Sequence, residues 1–252
     1  MALAYEDFGF QPIDNKVVLL TGASSGMGRA TALLLAKGGA RLALVARRKE
    51  RLESLAAEVS NHGAPEPLIV VADVRRESDC RSTVHKCRDQ FGRIDVLINN
   101  AGVGYPSDLE TAPTDQYRTM MDTNVDGVFF MTRAVLPIMK EQKRGDIIMI
   151  SSPAGVTANP VAPLYCTSKF ALEGFTEGLR MQLNQLHDQG IHIRVVDILP
   201  GATDSEYWGD RQVPRESFMT TEEMASVILQ TMAMSSTVLV KKIQVEQFRF
   251  SD

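Results

Sequence analysis

Tyr165 and Lys169 stand four residues apart in the run Tyr165-Cys166-Thr167-Ser168-Lys169, and Ser152 lies thirteen residues before the tyrosine. On a helix, that spacing puts the phenol and the ammonium on one face about a turn apart. An unassisted phenol titrates at roughly 10 and is a poor base at neutral pH. A neighbouring cation favours the phenolate, so the pair predicts that Lys169 draws the Tyr165 pKa down toward the range useful for general acid–base catalysis. Tyr and Lys at this separation also occur on ordinary solvated helices. The chemistry therefore depends on what surrounds them.

A second group of chemistry-bearing residues is Thr21-Gly22-Ala23-Ser24-Ser25-Gly26-Met27-Gly28, between an apolar run at 17–20 and a stretch of helical periodicity. Glycines let this backbone turn tightly and come close to a pyrophosphate, while the helix that follows offers N–H groups and the positive end of its dipole. The spacing Gly-x-x-x-Gly-x-Gly differs from the commoner Gly-x-Gly-x-x-Gly fingerprint and does the same physical job. About twenty residues on, an NAD enzyme carries an acidic residue for the adenosine ribose. This chain has Ala46, Arg47 and Arg48 there. No carboxylate repels a 2′-phosphate and two guanidiniums can bond it, so NADP(H) is the expected cofactor. Ser24 or Ser25 adds a hydroxyl to the same phosphate.

Positioning these groups is the task of the elements around them. Aliphatic or β-branched runs at 17–20, 41–46, 68–71, 96–98, 147–150, 193–199 and 243–245 alternate with amphipathic stretches at 28–37, 50–60, 79–91, 115–140, 165–187 and 221–233. Repeated βα units predict an α/β fold with a seven-stranded, mostly parallel sheet flanked by helices on both faces. The 252 residues fit one such domain, placed at 16–252 after an amino-terminal arm at 1–15. In the arm, Tyr5, Phe8 and Phe10 are candidates to clasp a neighbour or the body of the same subunit. The longest aperiodic stretch, 201–219, follows a strand end, where ligands bind in open α/β sheets, and is read as the substrate-binding loop.

Composition removes other function classes. Hydrophobic residues at 44% and charged residues at 23% describe a chain able to bury a large core. A net charge of −4 gives no footing for nucleic acid or an anionic membrane. No apolar run reaches the ~18 residues of a membrane span. The first residues show no basic start and no long apolar stretch, so no secretory signal is read and a cytoplasmic location is expected. Cys80, Cys87 and Cys166 are odd in number, and His62, His85, His187 and His192 are scattered. Neither a disulfide framework nor a metal site is expected.

In order and spacing, the motifs resemble the short-chain dehydrogenase/reductase family over about 16–199, with a looser match to the end. The turn at 21–28 is similar to its glycine motif, Asp73-Val74 to its adenine-contacting pair, and Asn99-Asn100-Ala101-Gly102 to the motif that supports the sheet and lines the cofactor. Pro200-Gly201 is similar to the turn beside the nicotinamide carboxamide. Asn124, Ser152, Tyr165 and Lys169 match the catalytic tetrad. The resemblance implies a Rossmann-like doubly wound fold and an NADP(H)-dependent oxidoreductase that interconverts a small carbonyl compound and an alcohol. Tyr165 would protonate the carbonyl oxygen as hydride arrives, with Ser152 hydrogen-bonding that oxygen. Lys169 would lower the Tyr165 pKa and hold the nicotinamide ribose, and Asn124, inside the 115–140 helix, would bind a water linking Lys169 to solvent.

Two departures from the family pattern matter: Pro153 directly follows Ser152, and Ser205 stands where the family often has a threonine that bonds the carboxamide. Ala171, Gly174 and Gly178 recur at helical spacing and admit close approach of another helix, inside the monomer or across an interface. The family usually pairs through this helix and the one before it, which implies a homodimer or homotetramer. Two alternatives remain: a non-enzymatic NADP(H) sensor or scaffold, which commonly loses the tyrosine or lysine kept here, and an epimerase or dehydratase with bound cofactor.

Overall fold

The apolar run after Lys16 forms a strand buried along its whole length, β1 (Val17–Thr21), because helices cover both of its faces. In the computed structural model, which describes residues 10–248, it is followed by α1 (Gly26–Lys37), β2 (Arg41–Ala46), α2 (Lys49–Asn61), β3 (Leu68–Val71), α3 (Glu77–Phe91) and β4 (Val96–Asn99). Then come α4 (Thr114–Met121), α5 (Gly127–Glu141), β5 (Arg144–Ile150), α6 (Pro163–Asn184), β6 (His192–Pro200), α7 (Thr221–Ala233) and β7 (Lys242–Val245). Tyr5 and Phe8 lie outside the described residues, whereas Phe10 packs against the body of its own chain.

All seven strands pair in parallel, in the order β3-β2-β1-β4-β5-β6-β7. The chain runs outward from β1 to β3, then returns to the other side of β1 to lay down β4. That reversal opens a crevice beyond the carboxyl ends of β1 and β4. Side chains alternate between two cores, with Val18 and Leu20 facing α1, α2 and α7, and Val17 and Leu19 facing α3, α5 and α6. Each fully buried Val or Leu contributes about 1.5–3 kcal/mol. No helix among the described residues is long and apolar enough to cross a membrane.

The expected helix at 115–140 runs from Thr114 to Glu141 with one local change of winding. Between α4 and α5 the turn Asp122–Asp126 widens to π geometry, the local insertion that often marks a functional position in a helix. Asn124, at its centre, is 1% exposed. Its side chain bonds backbone outside the helix, and no periodicity of apolar residues reveals that. The expected helix at 165–187 stops at Asn184, with a separate tight turn at His187–Gln189.

Candidate active site

The cradle is assembled where β1 ends. Gly22 and Gly26 adopt φ values of +67° and +52°, which side-chain-bearing residues rarely adopt. At Gly28 the constraint is contact, since a Cβ would stand 2.3 Å from the Gly22 carbonyl oxygen and 2.5 Å from Asn100 Nδ2. Gly28→Ala is therefore expected to cost about 1–3 kcal/mol, as overpacking does. The check is the urea unfolding midpoint; an unchanged value would show that the turn yields freely.

Thr21 ties the turn to the next strand of the crevice. Its hydroxyl donates to Ile98 O at 3.2 Å and accepts from the N–H groups of Asn100 at 3.0 Å and Ala101 at 3.1 Å. Asn100 Nδ2 donates to Thr21 O at 2.9 Å. Ser25 precedes α1 without capping it through its side chain, which leaves the first-turn N–H groups suited to an anion.

Instead, Ser24 and Ser25 both turn to Arg48, whose Nη2 donates to their hydroxyls at 2.9 and 2.7 Å. Arg47 lines the same end of the cavity. Glu206, from the 201–219 loop, reaches over this cluster to pair with Arg48 at 3.5 Å and Arg51 at 2.5 Å. The Asp73 carboxylate is gripped by Arg75 at 2.9–3.0 Å, which holds it below the usual carboxylate range. Val74 packs against Gly127, where a Cβ would lie 2.8 Å from Val74 Cγ2. The cavity that joins these groups has a volume of about 1220 Å³. That exceeds the ~300–1,000 Å³ of an ordinary small-molecule pocket and suits a dinucleotide with a second ligand.

Tyr165, on the first turn of α6, opens into the same cavity together with Ser152. The Ser152 hydroxyl is within hydrogen-bonding reach of the Tyr165 phenol. Ser151 points away and donates to Glu173 Oε1 at 2.7 Å, so only the second serine of the pair faces the crevice. Lys169 Nζ donates to Ile150 O at 3.0 Å and lies 5.8 Å from the centre of the Tyr165 ring.

One expectation is corrected here. Burial, with the Tyr207 phenol alongside, raises Tyr165 well above its ordinary value, opposed by the Ser152 hydrogen bond. Lys169 is itself drawn down to about 8 by burial, so burial dominates both groups and the depression expected from the Tyr-Lys spacing does not emerge. The Asn124 side chain makes three bonds: Oδ1 accepts from Val103 N at 2.9 Å, and Nδ2 donates to Val103 O at 2.8 Å and Ser168 Oγ at 3.0 Å. It clamps the loop after β4 onto α6.

The loop at 201–219 folds over the crevice. Gly201 N donates to Val245 O at 2.7 Å, and Pro200 and Gly201 line the cavity wall. Ser205 caps a short turn, accepting from Tyr207 N at 3.4 Å, and its Cβ abuts the Gly26 turn. Trp208 stacks on Phe218 with centroids 5.0 Å apart, and Arg211 covers both Tyr207 and Trp208. Tyr207 was not singled out by sequence reasoning. Its ring lies beside Tyr165, centroids 6.1 Å apart, and its phenol fills space that a glycine at position 104 leaves open, since a Cβ there would lie 1.9 Å from it. The aromatic pair at 207–208 within an aperiodic segment was the one available signal.

Comparison with known proteins gives a consistent result. A family model described as short chain dehydrogenase matches residues 16–215. An uncharacterised oxidoreductase of Staphylococcus saprophyticus is 40% identical over 194 residues, covering 77% of this chain and 76% of that one. An NADP-dependent 3-hydroxy acid dehydrogenase of Schizosaccharomyces pombe is 34% identical over 240 residues, with 90% and 91% covered. Among solved structures, an NAD⁺-bound xylitol dehydrogenase superposes with a TM-score of 0.84 at 29% identity, covering 94% of this chain and all of that one.

Proposed function

The chain belongs to the short-chain dehydrogenase family, and from that membership we propose that it interconverts a carbonyl compound and its alcohol with NADP(H), using Tyr165 as acid or base. The observation that carries the reading is the meeting of Ser152 and Tyr165 in the cavity that the α1 amino terminus and the Arg48 cluster also line, with the Lys169 ammonium buried behind them, 5.8 Å from the centre of the Tyr165 ring. A nicotinamide cofactor supplies or accepts the hydride. Ser152 holds the substrate oxygen beside the phenol, and Tyr165 gives that oxygen a proton as its charge develops. Lys169, with one N–H on Ile150 O, has donors left for a ribose hydroxyl.

A phenol raised by burial stays protonated across neutral pH. Carbonyl reduction is therefore expected to hold through neutrality and to fall as pH rises through the raised pKa, while alcohol oxidation climbs over the same interval. Initial rates in both directions against pH check this; reduction that fails already at mildly alkaline pH would contradict it.

NADP(H) is supported by Arg48 with its two serine hydroxyls and by the NADP-dependent yeast relative; the xylitol dehydrogenase with NAD⁺ shows that the fold accommodates either cofactor. A panel of aldehydes, ketones and alcohols, assayed with both cofactors by nicotinamide absorbance, tests the function. Conversion without net absorbance change would point to an epimerase or dehydratase. Gly174 and Gly178 contact nothing that a Cβ would meet within 4 Å, so their small size serves no packing inside the described chain. With exposed Phe129, Phe170 and Met181 on α5 and α6, they support a homodimer or homotetramer.

A further inference from the structure

Behind Lys169 lies a buried acidic pair that the reaction as written does not use. Asp197, in the middle of β6 between Met149 of β5 and Lys242 of β7, is 1% exposed. No side-chain or backbone donor among the described residues reaches either of its carboxyl oxygens. Its hydrogen-bonding neighbour is a second carboxyl, that of Glu173 on α6.

The cations nearby are all directed elsewhere. Lys242 Nζ donates to Glu173 Oε2 at 2.5 Å, and Ser151 Oγ takes Glu173 Oε1 at 2.7 Å. Arg180 spends its N–H groups on Val195 O at 3.0 Å, Lys241 O at 2.8 Å and the exposed Glu177 carboxylate. Two carboxyl groups can bond one another only through a proton, because each ionised carboxylate is purely an acceptor. Two like charges in one buried site also cannot both persist.

We propose that Asp197 and Glu173 hold one proton between them at neutral pH, and that the single negative charge they retain keeps the buried Lys169 cationic. Glu173 follows Lys169 by one helical turn on the same face of α6. Both carboxyl groups act on the ammonium in the direction that opposes its desolvation. Burial raises Asp197 to about 8 while Glu173 is lowered, which fits one proton lodged on the Asp197 side of the pair. The bearing of this pair on turnover rests on the proposed role of Lys169 in holding the cofactor ribose; the proton count does not. Asp197 and Glu173 are positioning residues, acting through Lys169.

The test uses the full chain carrying ¹³C at lysine Cε, with the Lys169 signal assigned by its loss in Lys169→Arg, together with infrared spectra at neutral pH. The wild type should show the carbonyl stretch of a neutral, hydrogen-bonded carboxylic acid. Asp197→Asn and Glu173→Gln should each abolish it, because the new amide donates to the remaining carboxylate. Each single variant keeps one negative charge, so the Lys169 midpoint should stay within about half a pH unit of wild type, while the double variant should lower it by about one unit or more. The proposal is overturned by absence of the acid band in the wild type, by its persistence in both single variants, or by a single variant lowering the midpoint as far as the double. Should the double variant not fold, the infrared arm decides alone. Retained turnover in Tyr165→Phe would sink the catalytic reading and leave the shared proton standing.

Discussion

Tyr165→Phe is expected to lower kcat by about 10²–10⁴-fold, the range that a positioned acid or base supplies, while NADPH binding stays close to wild type. The change removes one hydroxyl from a ring that keeps its packing beside Tyr207, with centroids 6.1 Å apart. Cofactor binding is read from the fluorescence of Trp208, the single tryptophan, which lies in the loop over the cavity. A variant that retains turnover would end the mechanism. One that loses cofactor binding equally would show that the phenol is structural. Tyr207 is the second phenol in the crevice, so the Tyr207→Phe enzyme is the matched control. A kcat loss confined to Tyr165→Phe assigns the proton transfer to Tyr165.

Arg48→Ala is expected to weaken NADPH binding by about ten- to a hundredfold and to leave NADH binding nearly unchanged, since a charge-assisted bond contributes ~1.5–3 kcal/mol. The guanidinium already gathers Ser24 and Ser25 around it at 2.9 and 2.7 Å, so the three donors are preassembled for a dianionic group. Glu206 complicates the outcome, because its carboxylate pairs with Arg48 and Arg51 and its release would disturb the loop. The readout is accordingly the ratio of the two dissociation constants. Loss of a loop contact weakens both cofactors alike, whereas loss of a phosphate ligand moves only NADPH. If wild-type protein binds NADH more tightly, the assignment of the Arg47 and Arg48 end to a 2′-phosphate fails.

The inner strands were legible because burial on two faces demands unbroken aliphatic runs, as at 41–46, while 68–71, at the sheet edge with Val71 exposed, was legible from its β-branched run. The π turn at Asp122–Asp126 was not legible. Asn124 at its centre bonds Val103, twenty-one residues away along the chain, and no local pattern encodes a partner at that distance. The choice of Ser152 over Ser151 followed from spacing, and the structure adds its reason: Ser151 is held by Glu173.

By itself the sequence determined the order of βα units and the glycine turn that opens α1, and it singled out the Arg47–Arg48 end of the crevice and the Tyr165–Lys169 pair as the candidates for chemistry. These are properties of residue type and short-range spacing, which the chain carries locally. Only the tertiary structure decided the electrical state of that pair. Spacing promised a tyrosine lowered by its lysine; burial instead raises Tyr165 and lowers Lys169. Both burial and local charge depend on everything packed around a group: the Tyr207 phenol delivered by a distant loop raises Tyr165 further, and the Asp197 carboxyl delivered by β6 opposes the lowering of Lys169.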